Sequence, residues 1–376
     1  MITTRSILAF GQYQHHYYKG TIGSYPIILT LSIDTADYRL DGSSYFYEDN
    51  GRNIKLNGTR LGKSLELRTN NINAENELFK LEISNTNTIT GTYITKDNNN
   101  AVVVLVGLSP KQITLNTDLE ALANTYPWIL YNYTNNHLDV LKLNKMSFKK
   151  DSVQRVNNSS VVWYTEKISG IPFFRLNSSS PSEQSNQIND QLSAIHYSLA
   201  IIPLQCPTHD AHQSTEINTA VTYLNQNLLG YKIIQKTNCK REDMTTGLMV
   251  QLLDLNNGMQ YALKDLYRFD NSLEPLDPNI DIMAYLKYRD NVEIPTILNL
   301  LKKRFPADFE NKNEEKCNYY DKNNWNLLNW SMTEKGIDFI PWMENGESEC
   351  QNPFLIPFED LEPYKNPKFP YRFPSK

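Results

Sequence analysis

Through the first hundred residues, apolar side chains recur at about every second position, in short segments closed by turn residues. In "TIGSYPIILTLSI" (21–33), Ile22, Tyr25, Ile27, Leu29, Leu31 and Ile33 alternate in this way, the period that a strand with one buried face requires. Asn50-Gly51 and Asn57-Gly58 read as hairpin turns, because the favoured two-residue turn needs positive φ at both central positions. Ile54 and Leu56 then share a face, as do Leu65 and Leu67. "LFKLEIS" (78–84), "TITGTYIT" (88–95) and "AVVVLVGL" (101–108) continue the series, with a turn at "NNNAV" (98–102). So many short strands in succession predict an antiparallel β-meander that curls into a sheet or small barrel.

The pattern changes after residue 110. We expect a β-rich domain over 1–110, a connecting segment over 111–150 with a short helix near Asp118–Asn124, and an α+β domain over 151–376. "VVWYTEKISGIPFFRL" (161–176) reads as two strands around Ser169-Gly170. Ser180, Pro181 and Glu183 form a helix-start signature at N-cap, N1 and N3, followed by a stripe of Ile188, Leu192, Ile195 and Leu199. "YLNQNLL" (223–229) leaves strand and helical turn both open. "MVQLLDLNNGMQYALKDLY" (249–267) reads as a strand to Leu255, a turn at Asn256-Asn257-Gly258, a partner strand over Met259–Leu263 and a helical start at Lys264–Tyr267. Helices are expected over "IDIMAYLKYRD" (280–290) and "PTILNLLKKRF" (295–305), then a strand pair turning at Glu334-Lys335-Gly336 and a closing strand in "FLIPFEDLEPYKNP" (354–367).

Composition removes several classes. The 37 Lys and Arg against 42 Asp and Glu give a net charge of -5, with no basic footprint for nucleic acid. The chain is 40% hydrophobic and 21% charged, as globular chains are. No apolar run approaches the roughly 20 residues of a membrane helix, so no transmembrane segment is expected. Cys206, Cys239, Cys317 and Cys350 are spaced by 33, 78 and 33 residues, without the close pairs of a zinc site. Two disulfides are the expectation, with four buried thiols as the alternative. The equal 33-residue gaps favour Cys206–Cys239 and Cys317–Cys350, although spacing alone allows three connectivities. Disulfides imply an oxidising compartment, and the localisation expected is periplasmic or secreted, with any signal peptide or lipoprotein signal outside these residues.

Four further segments carry a likeness. They are "QINDQL" (187–192), "DLNNGMQYALKDLY" (254–267), "WSMTEKGIDF" (330–339) and "IPFEDL" (356–361). In their order and rough spacing, residues 150–365 resemble a bacterial extracytoplasmic domain family. That family occurs in lysozyme-sensing anti-sigma factors and as an accessory part of peptidoglycan deacetylases. "GSSYFYEDNGRNIKLNGTRLGKSLEL" (42–67) with "TGTYI" (90–94) resembles a Gram-negative β-meander domain that often precedes it. Many members carry Cys-Gly-Gly-Ala-His before the hairpin. Here "NCKREDMTTG" (238–247) keeps Cys239 without the Gly-Gly and the His.

Candidate chemistry is sparse. His209 and His212 with Asp210 are two metal-ligand types short of a third ligand, and a polar loop is the better reading. His15-His16 beside Tyr17-Tyr18 reads as an N-terminal strand with one exposed face, and His196 as a packing residue. Glu314-Glu315 and Glu359-Asp360 sit in polar runs, whereas general acid–base work needs a shielded pair. No catalytic residue, metal or cofactor is expected. Aromatics cluster between Cys317 and Cys350. Trp325 and Trp330 read as core, while the loop-like Tyr319, Tyr320 and Trp342 read as partner-binding, since stiff amphipathic rings favour interfaces. The resemblance implies a periplasmic binding protein. It would block a cell-wall hydrolase or a competitor-delivered toxin by covering its cleft, as an inhibitor or immunity protein. A peptidoglycan-acting enzyme or accessory domain, and a structural envelope lipoprotein, are the alternatives.

Overall fold

A computed structural model describes residues 13–69, 77–85, 87–177, 182–206, 215–239, 245–270, 281–310, 317–343 and 350–374. The protein is α+β, with an N-terminal antiparallel barrel followed by helices and three small sheets. Eight strands close the barrel: β1 (Tyr13–Ile22), β2 (Tyr25–Asp34), β3 (Ser43–Tyr47), β4 (Ile54–Leu61), β5 (Ser64–Thr69), β6 (Leu78–Asn85), β7 (Thr88–Ile94) and β8 (Asn100–Leu108). Each pairs with its neighbour, and closure comes from β1 against β8, in register from Tyr17↔Leu108 to Ile22↔Val103. Leu29, Tyr45, Leu67, Phe79, Val103 and Leu105 fill the inside. An eight-strand barrel has just enough room for such side chains, so this one is a core and not a channel.

The glycines settle how the meander turns. Asn57-Gly58 is not a turn: it lies inside β4, with Gly58 opposite Leu67. A Cβ on Gly58 would stand 2.0 Å from the Glu66 carbonyl oxygen. The glycine marks a close approach of two strands, the other common reason for one in a sheet. The β4–β5 hairpin turns instead at Gly62 (φ +61) and Lys63.

The connecting segment holds three helices, α1 (Thr117–Thr125), α2 (Pro127–Thr134) and α3 (His137–Leu143). Asn116 and Asn136 cap the first and third through their side-chain oxygens. Only α1 was foreseen. β9 (Phe148–Val156) is already a strand where a boundary was expected, and pairs with β10 (Ser159–Glu166), which pairs with β11 (Pro172–Leu176). α4 (Glu183–Gln205) follows. Its cap is Ser182, in a reciprocal box with Ser185, and Glu183 is its first residue. Ser180 and Pro181 of the expected cap lie outside the described residues. Ile188, Leu192 and Leu199 are buried as the stripe required, with Ile195 half-buried. His196 is in the core: its Nε2 lies 2.8 Å from the Ile171 carbonyl oxygen and its ring packs on Phe148 and Phe173.

β12 (Thr215–Leu224), β13 (Leu228–Thr237) and β14 (Thr245–Asp254) form the next sheet, so "YLNQNLL" is a strand turn. The partner strand expected over Met259–Leu263 shrinks to one bridge, Leu253↔Gln260. The cause is Asp254. Its buried carboxylate accepts from the Asn256 amide (2.8 Å), the Tyr261 hydroxyl (2.8 Å) and the Tyr371 hydroxyl (2.7 Å). These bonds pull the chain off the sheet and down into α5 (Leu263–Leu266). Leu266 and Tyr267 then enter a core shared with α7 (Ile294–Arg304) and α8 (Pro306–Glu310), and α6 (Ile282–Tyr288) joins beside it through the Tyr288 hydroxyl, which accepts from the Phe269 amide (3.0 Å). The last sheet is β15 (Asn329–Met332), β16 (Gly336–Ile340) and β17 (Phe354–Pro357), followed by α9 (Phe358–Leu361). The tail returns over the hairpin, stacking Phe373 on Tyr267, Phe358 and Phe369.

The disulfides are Cys206–Cys239 and Cys317–Cys350, as the spacing favoured. Each closes a loop with a sequence separation of 33, for which loop entropy gives roughly 3–4 kcal/mol of stabilisation. Two outcomes are expected. Removing either bridge by a double Cys→Ala change lowers stability to denaturant by about that amount, and a non-reducing peptide map finds only these two pairs. Hydrogen bonds hold the Asp254 carboxyl below its ordinary range although burial opposes them. Its stabilisation is therefore complete above that range and lost as pH falls through the folded pKa. Asp254→Ala is expected to cost about 3 kcal/mol at neutral pH and much less in acid, read by tryptophan fluorescence.

Candidate functional site

The β3–β4 loop, residues 48–53, is where the barrel meets the rest of the chain. Four contacts fix it. Glu48 is nearly enclosed and ion-paired to Lys19 (3.2 Å) and Lys145 (2.6 Å). Burial works to raise its pKa, but these two lysines outweigh it and hold the carboxyl below the ordinary range. Gly51 adopts φ +68, and a Cβ there would lie 2.9 Å from an Ile168 methyl and 3.4 Å from Leu204. Only glycine meets both conditions. Asn53 accepts a hydrogen bond from Lys142 Nζ (2.8 Å), which also donates to the Leu204 carbonyl at the end of α4.

Lys142 is 1% exposed, and its ammonium lies 5.2 Å from the centre of the Phe46 ring. Burial lowers its pKa to about 7, against the opposing pull of Asp139. Asp139 in turn accepts from Gln205 (2.8 Å). Glu166 completes the junction. Its buried carboxylate accepts from the backbone amides of Ser147, Ile168 and Ser169, fixing the turn that carries Ile168. A carboxylate with three amide donors is well satisfied inside a protein.

The outward side of the fixed loop lines a cleft of about 690 Å³. Tyr25, Tyr47, Asp49, Asn50, Arg52 and Ile168 border it. Tyr25 is 63% exposed and meets Tyr47 edge-on at 6.1 Å. Tyr47 meets Tyr45 in the same way at 5.6 Å. Among the described residues, neither Asp49 nor Arg52 pairs with another charged side chain. The cleft therefore offers a cation, an anion, an amide and two phenol rings on rigid backbone. That set suits contact with a polar protein surface.

The residues expected to bind a partner divide. Tyr319 is 7% exposed, with its ring against Phe354 and its hydroxyl near Asn352. It is part of the core rather than of the surface. Tyr320 is 38% exposed, and Trp342 is half-buried, its amide bonded to the Asn324 carbonyl. Trp325 is fully buried, as expected, and Trp330 packs at the edge of the same core. His209, Asp210 and His212 lie outside the described residues. Among the described residues, no three His, Cys, Asp or Glu side chains gather as a metal site. The most exposed aromatics among the described residues carry no mark in the sequence: Trp128 (71%) and Tyr131 (65%) stand one turn apart on α2. The junction cleft was also missed. Its one signal was the density of "YEDNGRN" (47–53), an alternation of charge and amide longer than a hairpin turn needs.

No protein-family model matches the chain, and no curated protein matches it significantly.

Lys142 gives a pH test of the junction. Between about pH 7 and 10.5 the unfolded chain holds a proton that the folded one has lost, so this group makes stability rise with pH across that window. We expect the thermal midpoint of Lys142→Met, measured relative to the unmodified protein, to fall progressively as pH rises from 7 to 10. Gly51→Ala should cost about 1–3 kcal/mol at any pH, from left-handed backbone and overpacking together.

Proposed function

We propose that this is an extracytoplasmic binding protein that covers the cleft of a cell-wall hydrolase or of a toxin delivered by a competitor. The observation that carries the reading is the junction cleft. Asp49 and Arg52, neither of them ion-paired among the described residues, stand beside the Tyr25–Tyr47 pair on a loop fixed from three sides. Preorganised charge and aromatic surface is what tight occlusion needs, because little ordering entropy remains to be lost on binding. The two disulfides fit an oxidising compartment. The net charge of -5 favours encounter with a cationic partner. The resemblance of residues 150–365 to a domain of lysozyme-sensing proteins points to the same partner class. Tyr320 and Trp342 are the further surface aromatics of this reading.

The test is capture on the immobilised, oxidised protein, from envelope extract and from secreted effectors of competing strains. We expect one stoichiometric partner whose hydrolytic rate falls on binding. Tyr25→Ala and Arg52→Ala should each weaken the complex about tenfold or more, the latter with a reduced salt dependence. The reading fails if no hydrolase or toxin is captured, or if the protein alone consumes cell-wall material.

A further inference from the structure

At the other end of α4 a second cleft, of about 640 Å³, opens where five segments of the α+β region converge. They are the β9–β10 turn, the end of β11, the first turn of α4, the β12–β13 turn and the exit from β14. Its described lining comprises six Asn or Gln residues, four Ser and three Leu, with no charged residue among them. In a chain that is 21% charged, so neutral a wall is a chemical selection. A phosphate or carboxylate would find no cation there, and an ammonium no anion.

The wall is built rigidly, and part of its polarity is left over. Asn177 Nδ2 donates to Ser160 Oγ (2.9 Å), and Asn225 Oδ1 accepts from the Asn227 and Leu228 amides. Asn256 donates to Tyr371 (2.9 Å), which is itself held by Asp254. The helix start is already closed by the Ser182–Ser185 box, so its amides are not what the cleft offers. Among the described residues, Asn158, Ser159, Gln184 and Gln226 make no side-chain hydrogen bond, although all four line the cleft. Three carboxamides and a hydroxyl therefore border it, Asn158 and Gln226 at its exposed rim and Ser159 and Gln184 partly buried. Leu176, Leu224 and Leu255 supply apolar surface between them.

We propose that this cleft binds an uncharged oligosaccharide. Carboxamides present a donor and an acceptor at the spacing of neighbouring sugar hydroxyls or of an acetamido group. The leucines receive the C–H faces of the rings. The volume lies within the range of about 300–1,000 Å³ found for small-ligand sites. The site is separate from the junction cleft and does not rest on its reading. Tyr25→Ala and Arg52→Ala should leave it unchanged.

The experiment is a titration of the full, oxidised chain with two uncharged probes, chitotriose in its N-acetylated form and maltotriose. It is followed by NMR of the side-chain amides of Asn158, Gln184 and Gln226. The expected result is saturable shifts of these amides with at least one probe, with affinity unchanged between low and high salt, since no charge takes part. Gln184→Ala with Gln226→Ala should weaken binding about tenfold or more, the size of one or two lost hydrogen bonds. Ser159→Arg, which fills the cleft from a different segment, should abolish it. Unchanged thermal midpoints would show both variants folded. Three results would overturn the proposal: no saturable shift with either sugar, sugar binding that both variants leave intact, or saturation of the same amides by tetraglycine amide and not by the sugars.

Discussion

The ammonium of Lys142 is buried between two parts of the chain that share no strand, and the arrangement of the molecule depends on how that burial is compensated. An isolated buried cation is costly. Here its compensation comes from four places: the Asn53 side chain of the barrel loop, the Leu204 carbonyl at the end of α4, the Phe46 ring of β3, and the charge of Asp139 on α3. The carbonyl lies at the negative end of a long helix, where a cation is favoured. None of these groups can move away without leaving the lysine uncompensated. Glu48 imposes the same condition with the opposite sign, bridging Lys19 of β1 and Lys145 beyond α3. The barrel is thereby held against the helical segment by polar contacts that are demanding in geometry, beside an apolar cluster in which Tyr17 of β1 meets Ile113 and Val140 of α3. Its own core is sealed within eight strands and contributes nothing to that junction.

Asp254 plays the corresponding part in the second half. One buried carboxylate gathers a turn amide, a hydroxyl from the following segment and a hydroxyl from the distant tail. The tail's aromatic residues then close over the hairpin. Because Asn256 and Tyr371 belong to the same hydrogen-bonded set, the turn that closes the hairpin is also one wall of the neutral cleft. A constraint set by folding thus fixes the shape of a surface.

Much of the fold was legible where one local rule decided it. Alternation in β2, β4 and β5 announced the barrel, and the matching cysteine gaps announced the pairing. Errors arose where a local signal had two physical causes. Gly58 follows an Asn as a turn glycine would, yet serves strand contact. Met259–Leu263 has the apolar content of a strand, yet the Asp254 carboxylate redirects it. Tyr319 reads as surface because it sits in a polar loop, whereas the nearby Phe309 and Phe354 draw it inward. The candidate cleft was the least legible part. It needs Tyr25, the 48–53 loop and Ile168 to meet across more than a hundred residues, and no periodicity encodes that meeting. A lysine in "LKLNKM" (141–146) carries no mark of its burial either.

If the contacts of Lys142 and Glu48 act as described, the barrel loop and the helical segment form one preorganised surface before any partner arrives. Amide hydrogen exchange on the unbound, oxidised protein tests this most directly. The Glu48, Asn50 and Gly51 amides are bonded to the Pro26 and Tyr47 carbonyls, and those of Asn144 and Lys145 to α3. All five are expected to exchange slowly and to lose protection together when Lys142 is replaced. Fast, independent exchange of Glu48, Asn50 and Gly51, with the barrel and α4 still protected, would contradict it.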